Sequence, residues 1–167
     1  MQGHPIKEPA RSRRFGLSLV EMTIVMLIIG ILATMSVPFY IRVRAKSKIR
    51  EAESQVALLA AAIQRLAWDT GNWPGGVNRG AIQNPELWDL TTAAAGLLTC
   101  DSTKFTNWKG PYIRSIPLDP WGKRYFFDPD YTTGGKTLPV VGSFGPNKVG
   151  PNVYDSDNVI VVLQSKF

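Results

Sequence analysis

Residues 13–38 read R-R-F-G-L-S-L-V-E-M-T-I-V-M-L-I-I-G-I-L-A-T-M-S-V-P, and the rest of the chain is organised around them. Residues 17–37 are predominantly apolar, and 21 helical residues span about 31 Å, close to the thickness of a bilayer core. A single acid, Glu21, interrupts this run. A carboxylate at membrane depth costs roughly 2.5–3.5 kcal/mol on insertion scales, so Glu21 needs a partner or a task. We predict one transmembrane helix with a functional acid near its start.

Two export signals compete with this interpretation. A secretory signal peptide has a shorter apolar core and a small-x-small cleavage site, which residues 33–35 do not clearly provide. Ser12-Arg13-Arg14-Phe15 suggests a twin-arginine signal, but the glutamate within the apolar region and the missing cleavage site count against it.

The stretch resembles the type III signal of type IV pilins and type II secretion pseudopilins. In that family, prepilin peptidase cuts after the glycine and methylates the new amino terminus. The resemblance implies that residues 1–16 are a leader, that Gly16 precedes the cut and that Leu17 becomes the N-methylated first residue. Glu21 then matches the family's glutamate at the fifth mature position, and Pro38 its helix-kinking proline. Leucine at the first mature position is a departure, since phenylalanine is commonest there.

Cleavage would create an α-amino group four residues before Glu21. The Leu17 amino group and the Glu21 carboxylate can form an ion pair within one chain. Alternatively, Glu21 can pair with the Leu17 amino group of a neighbouring subunit. We favour the second role, because a charge pair in low dielectric fixes axial register better than apolar contacts do. The flank at residues 42–50 carries five bases, more than the leader's net +3, which opposes a simple positive-inside expectation. The leader motif nevertheless places the amino terminus in the cytoplasm.

Composition argues against an enzyme. Cys100 is the only cysteine and His4, in the leader, the only histidine, so a Cys-His pair is not expected. Paired aspartates occur only at residues 128/130 and 155/157, both in turn-like contexts. The net charge of +6 and the bases at residues 42–50 are compatible with a surface that binds nucleic acid. A solvated helix face near lipid headgroups is the simpler interpretation of these bases.

An α+β, pilin-like fold is predicted, with a long amino-terminal helix packed on a small antiparallel sheet and one additional short helix. Residues 17–38 would form the transmembrane half-helix, 39–69 an amphipathic half-helix ending before Gly71, and 70–167 a globular domain. The short helix is predicted at residues 85–98, capped by Asn84, with strands at 124–127, 140–144 and 159–163. Apolar positions expected to face the core are Ile49, Ala52, Val56, Leu59, Ala60, Ile63, Leu66 and Ala67 in the long helix and Leu87, Leu90, Ala94 and Leu97 in the short one.

The middle of the chain narrows the resemblance. The strings D-T-G-N-W-P-G, G-L-L-T and W-K-G-P-Y-I-R-S-I-P-L-D-P-W-G-K-R-Y-F-F are similar to the major pseudopilins of type II secretion. Residues 117–122 with Tyr125 carry that subfamily's signature. Prolines, glycines and tryptophans of this kind build turns and core, so a scaffold role is expected for them.

The tail G-S-F-G-P-N-K-V-G-P-N-V-Y-D-S-D-N-V-I matches the loop with which major pseudopilins bind calcium. The resemblance implies that Asp155 and Asp157 are ligands and that Ser143 and Phe144 lie where carbonyl donors fall. Asn147 replaces an aspartate, which removes one charge and should weaken the site. The alternative is a turn in which the two aspartates cap backbone amides.

By resemblance, the chain is a structural subunit of a periplasmic filament that drives type II protein secretion. It would be a single-pass inner-membrane protein with its carboxy-terminal domain in the periplasm. Its expected partners are further copies of itself, minor pseudopilins, an inner-membrane assembly platform and prepilin peptidase. A type IV pilus or DNA-uptake pilin is the alternative, although nucleic acid is not an expected partner. The chain has no G-x-x-x-x-G-K-[ST] phosphate loop, so another protein would supply the energy.

Overall fold

The computed structural model describes residues 16–80 and 86–164 of the 167-residue chain. Residues 1–15 of the predicted leader, and the predicted cap and start of the short helix at Asn84 and Pro85, lie outside the described residues. The chain forms two compact units, Met1–Arg42 and Val43–Phe167.

Helix α1 runs from Leu19 to Thr70. Ser18 is its N-cap residue, since the first helical hydrogen bond runs from Met22 N–H to the Ser18 carbonyl at 3.2 Å. The helix ends at Gly71, whose φ of 77° is readily adopted by a residue without a Cβ atom. The predicted end of the helix before Gly71 is therefore confirmed. Both flanks of Pro38 are helical.

In the first unit, the side chains of α1 are exposed although most of them are apolar. The hydroxyl groups among them bond to the helix itself: Thr23 Oγ1 donates to the Val20 carbonyl at 2.8 Å, and Ser36 Oγ to the Leu32 carbonyl at 2.7 Å. Such bonds satisfy polar groups where no water is available. Among the described residues, α1 is the one helix long and apolar enough to cross a membrane.

In the second unit, one stripe of α1 is buried. It contains every predicted core position except Ile49, which is 37% exposed, and it adds Ala62. The stripe packs with aromatic and β-branched residues of the sheet into one core. The predicted packing of the sheet on the helix is therefore confirmed. Residues that meet in this core include Val56, Leu59, Ile63, Leu66, Trp73, Leu90, Leu97, Tyr125, Phe127 and Val141.

Three antiparallel strands form the main sheet in the order β3-β4-β5. They are β3 (Phe126–Thr133), β4 (Lys136–Ser143) and β5 (Val159–Val162), and a short ladder, β1 (Asn72–Trp73) with β2 (Val77–Asn78), follows α1. All three predicted strands exist. However, β3 runs six residues beyond the predicted end at Phe127, past Pro129, where the ladder is irregular between Asp128 and Tyr131. Proline cannot donate to a ladder, and such a residue is accommodated at a bulge.

The predicted helix at residues 85–98 is wrong over its described part. Leu87 instead pairs with Phe127 through two backbone hydrogen bonds of 2.8 Å each. The Asp89 carboxylate then accepts hydrogen bonds from Thr91 N–H at 2.8 Å and Thr91 Oγ1 at 2.6 Å, which favours a turn over a helix. Within residues 86–98, a single 3₁₀ turn forms at Ala93–Ala95. Leu90 and Leu97 are buried as expected, but Ala95 is buried where Ala94 was predicted.

Leu66→Ala is expected to destabilise the second unit by about 2–5 kcal/mol, because it leaves a cavity in the core. Leu58→Ala is the matched control, since Leu58 lies on the same helix but is 57% exposed, and it should cost about 0.5 kcal/mol or less. Thermal unfolding of the detergent-solubilised chain, followed by tryptophan fluorescence, measures both. Equal losses of melting temperature would contradict the assigned core.

Candidate functional site

The start of α1 places the predicted processing and assembly residues side by side. Gly16, Leu17 and Ser18 precede the helix without regular structure, and Leu17 is 74% exposed. The backbone N–H of Ser18 donates to Oε2 of Glu21 at 2.8 Å. This is one half of a capping box, in which the residue at the third helical position reaches back to the N-cap amide.

The sequence contained a signal for this cap that the prediction did not use. Ser18-Leu19-Val20-Glu21 has the S-x-x-E spacing of a capping box directly before an apolar run. Glu21 therefore has a local, intrachain bond. An ionised carboxylate offers about four lone-pair sites, so this bond leaves room for an amino group as a second donor. The role of Glu21 in contact with a neighbouring subunit stays a prediction.

The D-P-W-G segment forms a turn around one buried carboxylate. Oδ1 of Asp119 accepts hydrogen bonds from Trp121 N–H at 3.1 Å and Lys123 N–H at 2.6 Å. Its Oδ2 accepts the Ser143 hydroxyl hydrogen at 2.6 Å. Ser143 Oγ in turn accepts Gly145 N–H at 3.0 Å. The turn thus holds the end of β4, where the tail loop begins, in agreement with the scaffold role predicted for this segment.

Tyr125, the aromatic residue of the same signature, is fully buried. Burial, with a smaller effect of the Asp119 and Glu51 carboxylates, raises the pKa of Tyr125 to about 12. Its hydroxyl stays neutral at physiological pH, so Tyr125 acts as a core residue. Cys100 is half-buried and packs against the same core.

Residues 144–158 connect β4 to β5 and form the tail loop, in which most of the predicted calcium ligands lie. Asn147 Nδ2 donates to Asp155 Oδ2 at 2.7 Å, and Asp157 N–H donates to Asp155 Oδ1 at 3.0 Å. The Ser143 hydroxyl donates to the Asp119 carboxylate, outside the loop, and the Phe144 ring stacks on the Phe126 ring with centroids 4.7 Å apart. The two aspartates and Asn147 are therefore connected, whereas the side chains of the two predicted carbonyl donors point to other partners.

A close backbone approach fixes the tail loop. Gly145 has a φ of 70°, and a Cβ atom built there would collide with the backbone carbonyl of Asp157. Only glycine fits this position, because it has no Cβ atom and tolerates a positive φ. The approach brings the beginning and the end of the loop together.

The donor set of the tail loop suits calcium in kind, since it consists of carboxylate, amide and backbone oxygens. In the geometry described here, the carboxylate of Asp155 caps the Asp157 amide and accepts the Asn147 amide group. Capping of a backbone amide by Asp155, the alternative considered from the sequence, is therefore present. A carboxylate that caps an amide can still bind a cation through its remaining lone pairs.

Comparison with known families agrees with both ends of this description. The family model of type II secretion system protein G matches residues 40–157, more than half of the chain. The prokaryotic N-terminal methylation motif matches residues 11–37, which contain Gly16, Leu17 and Glu21.

Individual relatives give the same result. Type II secretion system core protein G of Xanthomonas campestris pv. campestris is 28% identical over 152 residues, covering 90% of this chain and 92% of that protein. The Escherichia coli K12 protein of the same name is 30% identical over 116 residues, covering 70% and 72%. The crystal structure of the major pseudopilin from enterohaemorrhagic E. coli covers 70% of this chain and 84% of that chain, with a TM-score of 0.48 and 20% identity. On the family model and these relatives, the chain belongs to the type II secretion system protein G family.

Proposed function

We propose that this chain is the structural subunit of a pseudopilus, a helical filament that grows from the inner membrane into the periplasm and drives type II secretion. The exposed apolar surface of α1 in the first unit carries this proposal. Nearly every side chain from residue 17 to residue 43 is exposed, and most are large and apolar. Such a surface is stable only when lipid or other apolar helices cover it. Lipid would cover it before assembly, and neighbouring subunits in the filament.

Glu21 would set the register of that filament. Apolar helices can slide along one another with little change in contact, whereas a charge pair in low dielectric has one favoured position. The Ser18 amide already orients the Glu21 carboxylate at the start of α1. The partner would be the α-amino group of Leu17 on a neighbouring copy, created when prepilin peptidase cuts after Gly16. Pro38 would mark the end of the membrane-embedded half of the helix.

The remaining partners follow from membership of the family. The amino terminus would face the cytoplasm and the second unit the periplasm, where the filament would meet minor pseudopilins. An assembly platform in the inner membrane would add subunits. The role is structural, and we assign no catalytic residue. No observation on the described residues favours a type IV pilus or DNA-uptake pilin over this role.

We further propose that the tail loop binds calcium. Asp155 and Asp157 would supply carboxylate oxygens, Asn147 its amide oxygen, and Ser143 and Phe144 backbone carbonyls. The Asp119 network and the Gly145 approach support the proposal, because they hold both ends of the loop in place. Bound calcium would supply positive charge that joins the two aspartates to the end of β4.

Glu21→Gln is the sharpest test of register. Glutamine at the third helical position can still accept the Ser18 amide hydrogen, so the cap persists while the charge is lost. Processing at Gly16 should continue, and assembly should fall by at least about 100-fold, since a broken ion pair in low dielectric costs about 3–5 kcal/mol. Gel mobility measures processing, and secretion together with filament yield measures assembly.

Glu51→Gln is the matched control for this test, because it makes the same chemical change at an exposed carboxylate of α1 outside the apolar segment. It should leave assembly close to normal. If the Glu21→Gln variant assembles as well as the wild type, Glu21 contributes to assembly through its cap and not through its charge.

Chelation of calcium is expected to lower the melting temperature of the detergent-solubilised chain. An ion at 100 times its Kd stabilises by about 2.7 kcal/mol, which corresponds to roughly 5–10 °C for a unit of this size. Asp157→Ala should reduce this shift, whereas Ser156→Ala, at the exposed neighbouring position, should not. The proposal fails if Asp157→Ala and the wild type show the same shift.

Asn147→Asp should lower the melting temperature of the calcium-free protein and enlarge its rise when calcium is added. It replaces the hydrogen bond to Asp155 by a repulsion between like charges, so the calcium-free protein should melt lower. It adds a carboxylate ligand, so the shift on adding calcium should grow. Differential scanning fluorimetry with and without chelator measures both effects, and a smaller calcium shift than in the wild type would contradict the assigned ligand.

A further inference from the structure

Three carboxyl groups converge outside the tail loop. One oxygen each of Glu86, Asp128 and Asp130 lies within 4.8 Å of the other two. Asp128 is completely buried, and Glu86 and Asp130 are half-buried. Among the described residues, no other group of three such metal-binding side chains is this close together.

The fold creates this cluster from two distant segments. The antiparallel bridge between Leu87 and Phe127 places Glu86 opposite Asp128. The irregularity at Pro129 then lets Asp130 turn back, and its N–H donates to Oδ1 of Asp128 at 2.9 Å. The arrangement therefore results from backbone pairing and is not a chance approach of flexible side chains.

Two oxygens in the cluster lack the partners that buried oxygens usually have. Oδ2 of Asp128 and Oδ1 of Asp130 are buried and meet no N–H or cationic donor within the described part of the chain. The groups that neighbour the Asp128 carboxyl are the Tyr154 hydroxyl and the Asp130 carboxyl. Leaving a buried carboxylate oxygen without a donor is costly, because its hydration is lost and not replaced. The ion pairs of Lys109 with Asp69 and of Arg124 with Asp89 involve neither aspartate. These oxygens point to a missing positive ligand.

The surroundings of Asp128 are apolar, so an uncompensated negative charge on its carboxyl group is costly. The buried core beside Asp128 consists of Phe126, Tyr131 and Val140. The Asp128 carboxyl group is thus set against apolar side chains, with the Asp130 carboxyl group beside it. The Tyr154 hydroxyl also neighbours this carboxyl group, and burial followed by the Asp128 charge raises the pKa of Tyr154 to about 12. A phenol oxygen is thus available as a further neutral ligand.

We propose that Glu86, Asp128 and Asp130 form a calcium site that is separate from the tail loop. Calcium takes six to eight oxygen ligands at about 2.3–2.6 Å, so oxygens on opposite sides of one ion lie about 4.6–5.2 Å apart. Three oxygens evenly spaced around one ion at these distances lie about 4.0–4.5 Å apart. Three oxygens within 4.8 Å of one another therefore need to move by only a few tenths of an ångström, at most, to contact the same ion. Three carboxylates supply up to six oxygens, and the Tyr154 hydroxyl or water completes the shell. The ion would tie residue 86 to the irregular part of β3. This inference does not rest on the filament function or on calcium in the tail loop.

Calcium titration of the detergent-solubilised full chain tests the site, with isothermal titration calorimetry measuring the number of ions bound. Asp128→Asn should remove one ion, because the amide oxygen still accepts the Asp130 N–H but the charge is gone. Asp130→Asn should also remove one ion, and because residue 130 is half-buried the variant is expected to fold. Glu51→Gln, which removes an exposed carboxylate from α1, is the matched control and should leave the stoichiometry unchanged.

The outcomes separate this site from the tail loop. If the wild type binds two ions, Asp157→Ala should lose one and the double variant Asp128→Asn/Asp157→Ala both. If only one ion binds and Asp128→Asn removes it while Asp157→Ala does not, the site stands and the tail-loop proposal fails. The site is overturned if both asparagine variants bind as many ions as the wild type, or if Asp157→Ala alone abolishes all binding. Melting in chelator confirms folding, and Asp128→Asn should melt higher there because a like-charge repulsion is removed.

Discussion

Packing of the second half of α1 against the β3-β4-β5 sheet is the interaction on which the second unit is built. A three-stranded sheet has too little apolar surface to be stable alone, and helix residues such as Ile63 and Leu66 supply what it lacks. Strand residues such as Phe127 and Val141 complete the core from the other side. Because this core places the ends of β3, β4 and β5, it also places the tail loop and the acidic cluster. Both proposed cation sites are therefore consequences of helix-on-sheet packing.

The same helix serves two environments with different physical rules. In the second unit, one stripe is buried and the charged residues lie outside it, as expected for a helix packed on a sheet in water. In the first unit, nearly every face is apolar and exposed, which suits lipid and helix–helix contact. Hydroxyl groups there bond back to helix carbonyls, and Glu21 caps the amide of Ser18. Thr23, Thr34 and Ser36 thereby satisfy their hydroxyl groups within the helix.

Errors in the secondary-structure prediction have a common cause. Residues 85–98 have apolar spacing that fits a helix, but Asp89 bonds to Thr91 and Leu87 pairs with Phe127, forty residues away. The predicted strand at 124–127 was ended too early, because Asp128 and Pro129 are typical turn residues. The irregular ladder of β3 accommodates them. At residue 87 a contact between distant segments outweighed the local preference, and beyond Phe127 pairing with β4 did so.

Local chemistry was enough to predict the long helix, its end at Gly71 and the apolar stripe, whereas resemblance to a known family indicated the leader motif around Gly16 and Glu21 and the aspartates of the tail loop. Each of these features depends on residues that are close together in the chain, so it can be predicted from the sequence. The bond between Asp119 and Ser143, the approach of Gly145 to Asp157 and the meeting of Glu86 with Asp128 depended on the folded chain. In these contacts, burial and orientation arise only when distant segments pair across the sheet. The spacing of residues in a single sequence does not predict which carboxylate becomes buried away from water.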